Sequence, residues 1–350
     1  MSRFFSKQLA ALTPYAPGEQ PQDKQYVKLN TNESPFVPSE RAQAAAAVAA
    51  QQLQLYPDPT CSILREKLGA LYGLTADEVV VTNGSDEVLS FAFMAFCDNG
   101  AIFPDITYGF YRVFTDLYRI PFEEIPLKSD FTIDIEDYKG RSETVFIANP
   151  NAPTGIPLTV AQIEEILRSN PDRLVVVDEA YVDFGGESCA PLVKKYDNLL
   201  VTGTFSKSRS MAGARLGFGF ACPALIRDLE TLRYSTNPYN INRLTMAAGL
   251  GQLIDEAQTK QNCQTIIQNR EYTVQKLQKM GFSVLPSKAN FVFATCPKIG
   301  GKKLYLRLKE KGVLVRHFDK SRLTEYNRIT IGSREQMDAL LTAIQEILEE

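Results

Sequence analysis

Short apolar segments alternate with amphipathic stretches between residues 79 and 221 of the chain. The apolar segments have the length of strands buried on both faces, and helical stretches lie between them. The predicted strands are residues 79–81, 101–103, 144–148, 174–177, 199–201 and 217–220. This alternation predicts an α/β fold with a mainly parallel sheet and helices on both of its faces.

A different pattern occupies the C-terminal third. A long helix is predicted to begin near residue 245, followed by strands at 282–285, 291–293 and 328–331 and helices at 302–311 and 335–348. These elements indicate a smaller α+β domain. We therefore predict a large domain over residues 29–245, which includes an alanine-rich helix at 39–53, and a small domain of residues 246–350 with residues 1–28 folded back onto it.

Composition narrows the class of protein. The chain has 350 residues, of which 44% are hydrophobic and 23% charged, with a net charge of -3. This balance is typical of a globular protein and provides no basic surface for nucleic acid. No apolar run is long enough to cross a membrane, and the first five residues lack the apolar core of a signal peptide.

Cysteine and histidine usage excludes other chemistries. The six cysteines are scattered with no C-x-x-C pair, so we expect reduced thiols and a cytoplasmic location. His317 is the only histidine, which excludes a metal site built on histidines, and we predict no bound metal. We also expect His317 to lie beside a pocket rather than to act as a base.

A lysine surrounded by phosphate-binding side chains follows the strand at 199–201. Lys207 lies close to the hydroxyls of Thr204 and Ser206, and Arg215 follows eight residues later. A desolvated lysine loses its proton readily and can form a Schiff base, while hydroxyls and an arginine can hold a phosphate. This combination favours pyridoxal phosphate, although a surface lysine beside a Gly-rich loop is the alternative.

A carboxylate at the end of the preceding strand supports this hypothesis. Asp178 follows the strand at 174–177, at the carboxyl end where open α/β sheets bind ligands. A buried carboxylate there would keep the pyridine nitrogen of the cofactor protonated, and Tyr181 could reach its phenolic oxygen. The alternative for Asp178 is a helix N-cap.

A strand, a Gly-Ser turn and a helix form a second candidate phosphate site. Gly84, Ser85 and Asp86 follow the strand at 79–81 and begin an apolar helix. Free N–H groups and the helix dipole favour an anion at such a turn, although Ser and Asp also cap helices without any ligand. Further on, Tyr108 could stack on the pyridine ring; otherwise it is a core aromatic residue.

Taken in order, these segments resemble fold-type I pyridoxal-phosphate aminotransferases, and within them the histidinol-phosphate aminotransferases. The resemblance covers nearly the whole chain, with segments at 12–15 (LTPY), 29–35 (LNTNESP), 56–58 (YPD), 149–155 (NPNAPTG), 178–181 (DEAY), 204–207 (TFSK), 238–242 (PYNIN) and 328–332 (RITIG). It implies a large domain with a seven-stranded, mainly parallel sheet, a homodimer, and transfer of an amino group from histidinol phosphate to 2-oxoglutarate.

The resemblance also implies a role for individual residues. Lys207 would bind the cofactor and move the proton, Asp178 would pair with the ring nitrogen, and Tyr181 would bond the phenolic oxygen. The remaining roles are ring stacking by Tyr108, phosphate binding by the Gly84 turn with Ser85, Asp86, Thr204, Ser206 and Arg215, a contact from Tyr56 of the neighbouring subunit, binding of the substrate carboxylate by Arg328, and a side-chain pocket formed by Tyr15, Asn32 and Arg316.

One position departs from the family pattern. The second Asn of the usual N-N-P-T-G segment, which bonds the phenolic oxygen, is Ala152 here, and alanine has no side-chain donor. Either Asn151 replaces it or Tyr181 acts alone.

Three other functions stay open on the same cofactor: decarboxylation of a phosphorylated amino acid such as threonine phosphate, transamination of aromatic or other amino acids, and non-catalytic sensing of pyridoxal phosphate. The last is disfavoured because the chain has no additional DNA-binding domain. A dehydrogenase is disfavoured because no G-x-G-x-x-G follows an early strand.

Overall fold

The computed structural model describes residues 2–10 and 12–350. Its strands, in chain order, are β1 (Val27–Lys28), β2 (Val79–Thr82), β3 (Ala101–Pro104), β4 (Phe122–Ile125), β5 (Thr144–Ala148), β6 (Val175–Asp178), β7 (Leu199–Thr204), β8 (Gly217–Ala221), β9 (Ser283–Val284), β10 (Phe291–Thr295), β11 (Val313–Leu314), β12 (Arg316–His317) and β13 (Tyr326–Thr330). Its α-helices are α1 (Glu40–Ala49), α2 (Ser62–Tyr72), α3 (Ser85–Phe96), α4 (Phe110–Tyr118), α5 (Val160–Ser169), α6 (Pro223–Thr236), α7 (Arg243–Ile254), α8 (Glu256–Lys279), α9 (Gly301–Glu310) and α10 (Arg334–Glu349).

The large sheet has seven strands in the order β2-β8-β7-β6-β5-β3-β4. Strands β4, β3, β5, β6 and β7 are parallel neighbours, while β8 is antiparallel to both β7 and β2. The predicted mainly parallel α/β sheet is therefore confirmed.

Alternate residues of the apolar strands face two different helical layers. Val175 and Val177 pack in the same core cluster as residues of α2 and α5, whereas Val176 between them packs with residues of α3, α4 and α6. Both faces are buried, which explains why these strands are continuous apolar runs rather than alternating ones.

A second, antiparallel sheet has the order β12-β13-β10-β9. Val292 and Ala294 of β10 face a cluster formed with α8, α9 and α10. Phe291 and Phe293 point to the opposite face of the same sheet, where Phe293 meets Phe131 of the segment that precedes the large-domain strand β5. The small sheet therefore packs one face on its own helices and the other against the segment between β4 and β5 of the large domain.

The predicted long helix from residue 245 consists of two helices that meet at Asp255. The first, α7, packs against α1 and α2, while α8 packs against β9, β10 and α10. At the other end of the chain, Val27 and Lys28 pair with Val313 and Leu314. The division into residues 29–245 and the remainder stays a proposal, and the packing of α7 favours a boundary near Asp255.

The carboxyl ends of the parallel strands place several loops at one edge of the large sheet. The loops after β3, β5, β6 and β7 begin there, as does α3 after β2. This is the edge at which open α/β sheets bind ligands. In the part of the chain that the structure describes, no helix is both long and apolar enough to span a membrane.

Candidate active site

A cavity of about 650 Å³ opens at this edge, between the large sheet and the small unit. Most of the residues predicted from the sequence line it, namely Tyr15, Asn32, Ser85, Asp86, Tyr108, Asp178, Tyr181, Thr204, Ser206, Lys207, Arg215, Arg316 and Arg328. These residues are up to 313 positions apart in sequence (328 − 15), so the fold alone brings them together.

Lys207 lies in the loop after β7 with its amine inside the cavity. The amine donates to the carbonyl oxygen of Thr31 at 3.2 Å and lies 5.9 Å from the ring centre of Tyr181. Burial, and after it the positive charge of Arg328, lower the pKa of Lys207 to about 8. About a tenth of the amine is therefore neutral at pH 7, far more than for an ordinary lysine, and a nucleophile and proton acceptor requires the neutral form.

Asp178 is the last residue of β6 and is almost fully buried at the base of the cavity. Its carboxylate accepts from the Thr202 hydroxyl at 3.0 Å and from the Tyr111 hydroxyl at 3.3 Å. Burial raises the pKa of Asp178 to about 6, although these hydrogen bonds oppose the shift. A buried anion with no cation bonded to it is suited to pair with a protonated ring nitrogen of a ligand.

The N-terminus of α3 forms a narrow cradle for an anion. Gly84 precedes the helix with a φ of 80°, and no side chain caps the helix. A Cβ at Gly217 would lie 2.2 Å from the Ser85 nitrogen, so glycine is required where β8 passes the turn. Arg215 lies over the same turn, because a Cβ on Gly84 would come within 2.7 Å of its guanidinium. Free N–H groups beside an arginine make a phosphate site.

The hydroxyls of Thr204 and Ser206 lie on the other side of this cradle. The Thr204 hydroxyl donates to the Ser206 oxygen at 3.0 Å and accepts from the Ser206 backbone N–H at 3.1 Å. Because the Thr204 hydroxyl proton is used in the first contact, the proton of Ser206 is free to be donated to a ligand in the cavity.

Asp86 connects the cradle to the aromatic wall. It accepts from the Tyr108 hydroxyl at 2.7 Å and from Arg215 at 3.2 Å. Burial raises the pKa of Tyr108 well above its ordinary value, and the charge of Asp86 adds to the effect. The Tyr108 ring is therefore held in one position as a neutral aromatic surface.

Two arginines approach the cavity from the small unit. One Nη of Arg328 donates to the Asn30 carbonyl oxygen at 3.0 Å, while its buried Nε has no partner among the residues that the structure describes. The Arg316 guanidinium donates to the carbonyl oxygens of Pro17 and Ala16, each at 3.1 Å. The unpartnered Nε leaves Arg328 able to bind a carboxylate.

Some predicted residues are placed differently. The Asn151 side chain does not line the cavity, because its amide accepts from Thr107 at 2.8 Å and donates to Ile106 at 2.9 Å and Thr154 at 3.3 Å. Ala152 lines the cavity instead. Of the two possibilities that the sequence left open, the structure therefore disfavours replacement by Asn151.

Gly84 and Tyr56 are also absent from the wall of the cavity. Gly84 acts through its backbone at the start of α3. Tyr56 is 77% exposed, and its ring stacks on Tyr239 with centroids 4.4 Å apart. Tyr56 therefore does not reach the cavity of its own chain.

Tyr111, Thr202 and Thr31 contact the catalytic candidates but were not predicted. Thr202 faces Asp178 because the two residues are register partners in β7 and β6. Only the strand register could have indicated this contact. Tyr111 lies three residues after the predicted Tyr108, in the first turn of α4, and this closeness in sequence was the available signal. Thr31 uses only its backbone carbonyl, which no side-chain motif can show.

The donors of the cavity fit a phosphorylated aldehyde cofactor. A neutral-prone lysine, a buried carboxylate and a helix-terminal anion cradle lie in one cavity, and they match the aldehyde, the ring nitrogen and the phosphate of pyridoxal phosphate. The fold and the site thus define a pyridoxal-phosphate-dependent enzyme. The chain belongs to the class I and II aminotransferases, whose family model matches residues 24–344.

Proteins that are similar to this chain over its whole length are histidinol-phosphate aminotransferases. The chain is 48% identical to a histidinol-phosphate aminotransferase of Brachyspira hyodysenteriae over 100% of both chains. It is 49% identical to one of a Marinomonas species, over 99% of this chain and 100% of that one. The crystal structure of histidinol-phosphate aminotransferase from Sinorhizobium meliloti, in complex with pyridoxal-5'-phosphate, has a TM-score of 0.90 at 22% identity and covers 100% of this chain and 98% of that chain. At that identity the structural likeness establishes the shared fold.

Proposed function

We propose that the protein transfers the amino group of histidinol phosphate to 2-oxoglutarate, giving imidazole acetol phosphate and glutamate. One observation carries the proposal: a lysine whose pKa is lowered to about 8 shares a cavity with a buried carboxylate and the arginine Arg328. Relatives of the same full length, named histidinol-phosphate aminotransferases, support the choice of substrate.

Lys207 is the proposed cofactor-binding residue and proton carrier. When bound, pyridoxal phosphate supplies an electron sink for the electron pair left on the substrate α-carbon. The neutral Lys207 amine would take the proton from the substrate α-carbon and hold it for return to the reacting atoms. The Thr31 carbonyl at 3.2 Å gives the amine a fixed position.

Asp178 and Tyr181 are proposed to set the charge on the two sides of the cofactor ring. The carboxylate of Asp178 holds the proton on the ring nitrogen, and the hydroxyls of Thr202 and Tyr111 keep the carboxylate in place. The Tyr181 hydroxyl is the proposed donor to the phenolic oxygen, because Ala152 lacks a donor and Asn151 is bonded elsewhere.

The substrate pocket must accept both a phosphorylated amine and a dicarboxylic acid. We assign the carboxylate of glutamate to Arg328, whose buried Nε makes no hydrogen bond within residues 2–10 and 12–350. We assign the phosphate of histidinol phosphate to Arg316 and the Tyr15 hydroxyl. The Tyr15 ring stacks on Phe110 at 4.4 Å, so that its hydroxyl is held at the wall of the cavity. Arginine suits both ligands because its planar fork pairs with carboxylate and phosphate alike.

An assay with alternative donors tests the function. We expect the holoenzyme to form glutamate from 2-oxoglutarate with histidinol phosphate far more efficiently than with phenylalanine or tyrosine. Tyr15→Phe keeps the ring and removes only the hydroxyl. A lost charge-assisted hydrogen bond costs about 1.5–3 kcal/mol, so kcat/KM for histidinol phosphate should fall roughly 10- to 150-fold. The same variant should leave the value for phenylalanine nearly unchanged.

Two results would change the assignment. Release of carbon dioxide from threonine phosphate without a keto product from histidinol phosphate would replace the proposal with a decarboxylase. Equal losses for phosphorylated and aromatic donors in Tyr15→Phe would contradict the phosphate role of Tyr15.

We further propose that the enzyme is a homodimer in which Tyr56 contacts the cofactor phosphate of the neighbouring subunit. Support comes from the segment around Tyr56, which exposes a series of large apolar side chains: Val48 (66%), Leu53 (59%), Leu55 (56%), Tyr56 (77%) and Ile63 (54%). Apolar surface of this extent marks an interaction site.

Mixed dimers test this arrangement. Tyr56→Phe keeps the ring stacked on Tyr239 and removes the hydroxyl, whereas Lys207→Ala removes the reactive amine. If Tyr56 acts across the interface, a heterodimer of the two variants contains one complete site, and mixing the subunits should restore cofactor affinity at that site. No restoration on mixing, with heterodimers demonstrated by mass, would contradict the arrangement.

We propose a reducing compartment such as the cytoplasm. All six cysteines are free, and five of them are buried. Burial raises the pKa of several of these thiols, including Cys61 to about 11, so they are unreactive structural residues. Alkylation of the protein under denaturing conditions, directly after cell lysis, should label six thiols.

A further inference from the structure

Asn32 was predicted to line the substrate pocket, yet its side chain bonds protein groups on both sides. Its Nδ2 donates to the Tyr181 hydroxyl at 3.0 Å, and its Oδ1 accepts from the Thr330 hydroxyl at 3.0 Å. Asn32 is nearly fully buried and has a φ of 56°, a left-handed conformation that asparagine tolerates better than most residues. The Asn32 side chain is therefore held by hydrogen bonds to protein groups rather than by a substrate.

Thr330 determines which end of the Asn32 amide faces Tyr181. The Thr330 oxygen already accepts from the Asn32 backbone N–H at 3.0 Å, so its own proton needs an acceptor, and Oδ1 of Asn32 is that acceptor. A reversed amide would place two donors on the Thr330 oxygen and leave the Thr330 proton without a partner. Asn290 fixes the same segment by donating to the Asn32 carbonyl at 3.0 Å.

The donor direction set at Thr330 also fixes the direction of the hydrogen bond between Asn32 and Tyr181. Because Nδ2 of Asn32 is a donor, the Tyr181 oxygen must accept from it, and the Tyr181 proton is left to point into the cavity. We propose that Thr330 and Asn32 act as positioning residues that direct the Tyr181 proton toward the phenolic oxygen of the cofactor.

The hydrogen-bond chain from Thr330 through Asn32 to Tyr181 matters because position 152 is alanine, where the family pattern has asparagine. Ala152 provides no second donor, and the amide of Asn151 is bonded to the Ile106 loop. If the Asn32 amide were reversed, the Tyr181 proton would be donated to Asn32 and the phenolic oxygen would have no side-chain donor from these residues. The inference rests on the proposed role of Tyr181, and the variants below separate the two.

The test measures the pH at which the absorbance of the bound cofactor changes in the holoenzyme. A donor to the phenolic oxygen stabilises its negative charge and so weakens the hold on the proton shared with Lys207. Tyr181→Phe should therefore raise this pH midpoint by at least about one unit, since one pKa unit corresponds to a tenfold change in the proton equilibrium. This variant calibrates the effect of losing the donor.

Thr330→Val is the decisive variant because it has nearly the same shape and adds no charge. Without the Thr330 hydroxyl, the Asn32 backbone N–H loses its acceptor, and either orientation of the Asn32 amide leaves one end of that amide unpaired. The two orientations therefore become similar in energy, and the Tyr181 proton is diverted in a large share of molecules. A twofold loss of donation corresponds to a rise of about 0.3 pH units, and we expect at least this shift. Thr330→Ser retains the hydroxyl and should keep the wild-type midpoint.

Asn32→Asp provides the opposite extreme, because an ionised carboxylate can only accept, so the Tyr181 hydroxyl must donate to it. Its midpoint should rise at least as far as that of Tyr181→Phe, with weaker retention of the cofactor on dialysis. A wild-type midpoint for Thr330→Val, with Tyr181→Phe shifted, would overturn the inference even if Asn32→Asp is shifted, since the added charge alone explains that result. No shift in Tyr181→Phe would instead overturn the proposed role of Tyr181. The thermal unfolding midpoint of each variant is measured as a control, and a cooperative transition is expected wherever the fold is retained.

Discussion

Asp178→Asn should stabilise the cofactor-free protein while it destroys activity. Burial raises the pKa of Asp178 from 3.8 to about 6 in the folded protein. Because the folded pKa lies above the unfolded one, the favourable contribution of this group is complete below pH 3.8 and is lost as the pH rises through 6. A shift of about two pKa units corresponds to roughly 3 kcal/mol of stability lost at pH 7.5.

The asparagine variant has no such loss because its side chain does not ionise. Its amide can still accept from Thr202 or Tyr111 through Oδ1. We therefore expect a higher urea midpoint for the Asp178→Asn apoprotein than for the wild type at pH 7.5, with the difference diminishing toward pH 4. Both proteins are compared without cofactor and at equal concentration, since ligand and dimer formation would shift the midpoint.

Catalysis should respond in the opposite direction. The charge that holds the proton on the cofactor ring nitrogen is lost, so the half-reaction should slow at least roughly a hundredfold, which is about 2.7 kcal/mol in the barrier. Glu179→Gln is the matched control: burial raises the pKa of Glu179 to about 8, yet the residue does not line the cavity. Glu179→Gln should remove a pH-dependent loss of stability between pH 4.5 and 8 and keep the wild-type rate.

Two results would refute this reasoning. An Asp178→Asn apoprotein no more stable than the wild type at pH 7.5 would show that ionisation of the buried Asp178 carboxylate does not destabilise the fold. A near-normal rate in the same variant would show that Asp178 only ends the strand.

Further variants test other parts of the site. Lys207→Ala should abolish the covalent attachment of the cofactor after borohydride reduction, measured by intact mass; an adduct in this variant would mean another lysine is used. Gly217→Ala places a Cβ 2.2 Å from the Ser85 nitrogen and should weaken cofactor binding at least tenfold by fluorescence titration, while unchanged affinity would contradict the cradle at α3. Arg328→Ala should raise KM for glutamate more than KM for histidinol phosphate, whose phosphate we assign to Arg316 and Tyr15, and Arg328→Lys should recover only part of the loss because lysine lacks the planar fork.

The strands of the large sheet were predictable because their sequences carry a strong signal. Val79 to Val81 and the residues of β6 are buried on both faces, which selects continuous apolar runs. Strand β4 was missed because Glu123 and Glu124 are exposed at the edge of the sheet, so half of the strand is polar. The pairing of Val27 with Val313 was also missed, since two-residue strands so far apart in sequence leave no local pattern.

The predicted long helix from residue 245 was wrong in one respect, the break at Asp255, because neither glycine nor proline marks that position. The break follows from packing. A Cβ at Gly251 would lie 2.7 Å from the backbone of Ala42, so α7 lies very close to α1, and Asp255 is bonded to Arg41 at 3.0 Å. The next helix, α8, packs on the small sheet instead. Only contacts with distant residues decide where such a helix ends.

The residues of the site also fall into those that local sequence patterns reveal and those that only the fold reveals. Lys207, Asp178 and Arg215 follow apolar strands in motifs that the sequence displays, and they were found from local pattern and resemblance. The hydrogen-bond partner of Tyr181 could not be found from a local pattern, because Asn32 lies 149 residues away from it. The orientation of the Asn32 amide depends in turn on Thr330, which lies 298 residues from Asn32. The reactive groups are thus local in sequence, whereas the groups that orient them are assembled by the fold.

Arg328 connects substrate binding to the strength of the base. Its positive charge lowers the pKa of Lys207, second only to burial. A carboxylate that binds to Arg328 neutralises that charge, so the amine becomes a stronger base when the substrate is in place. Before the substrate arrives, the same charge keeps part of the amine neutral and able to bind the cofactor. One arginine thereby serves both states of the lysine, which gives the buried Arg328 guanidinium a role beside it.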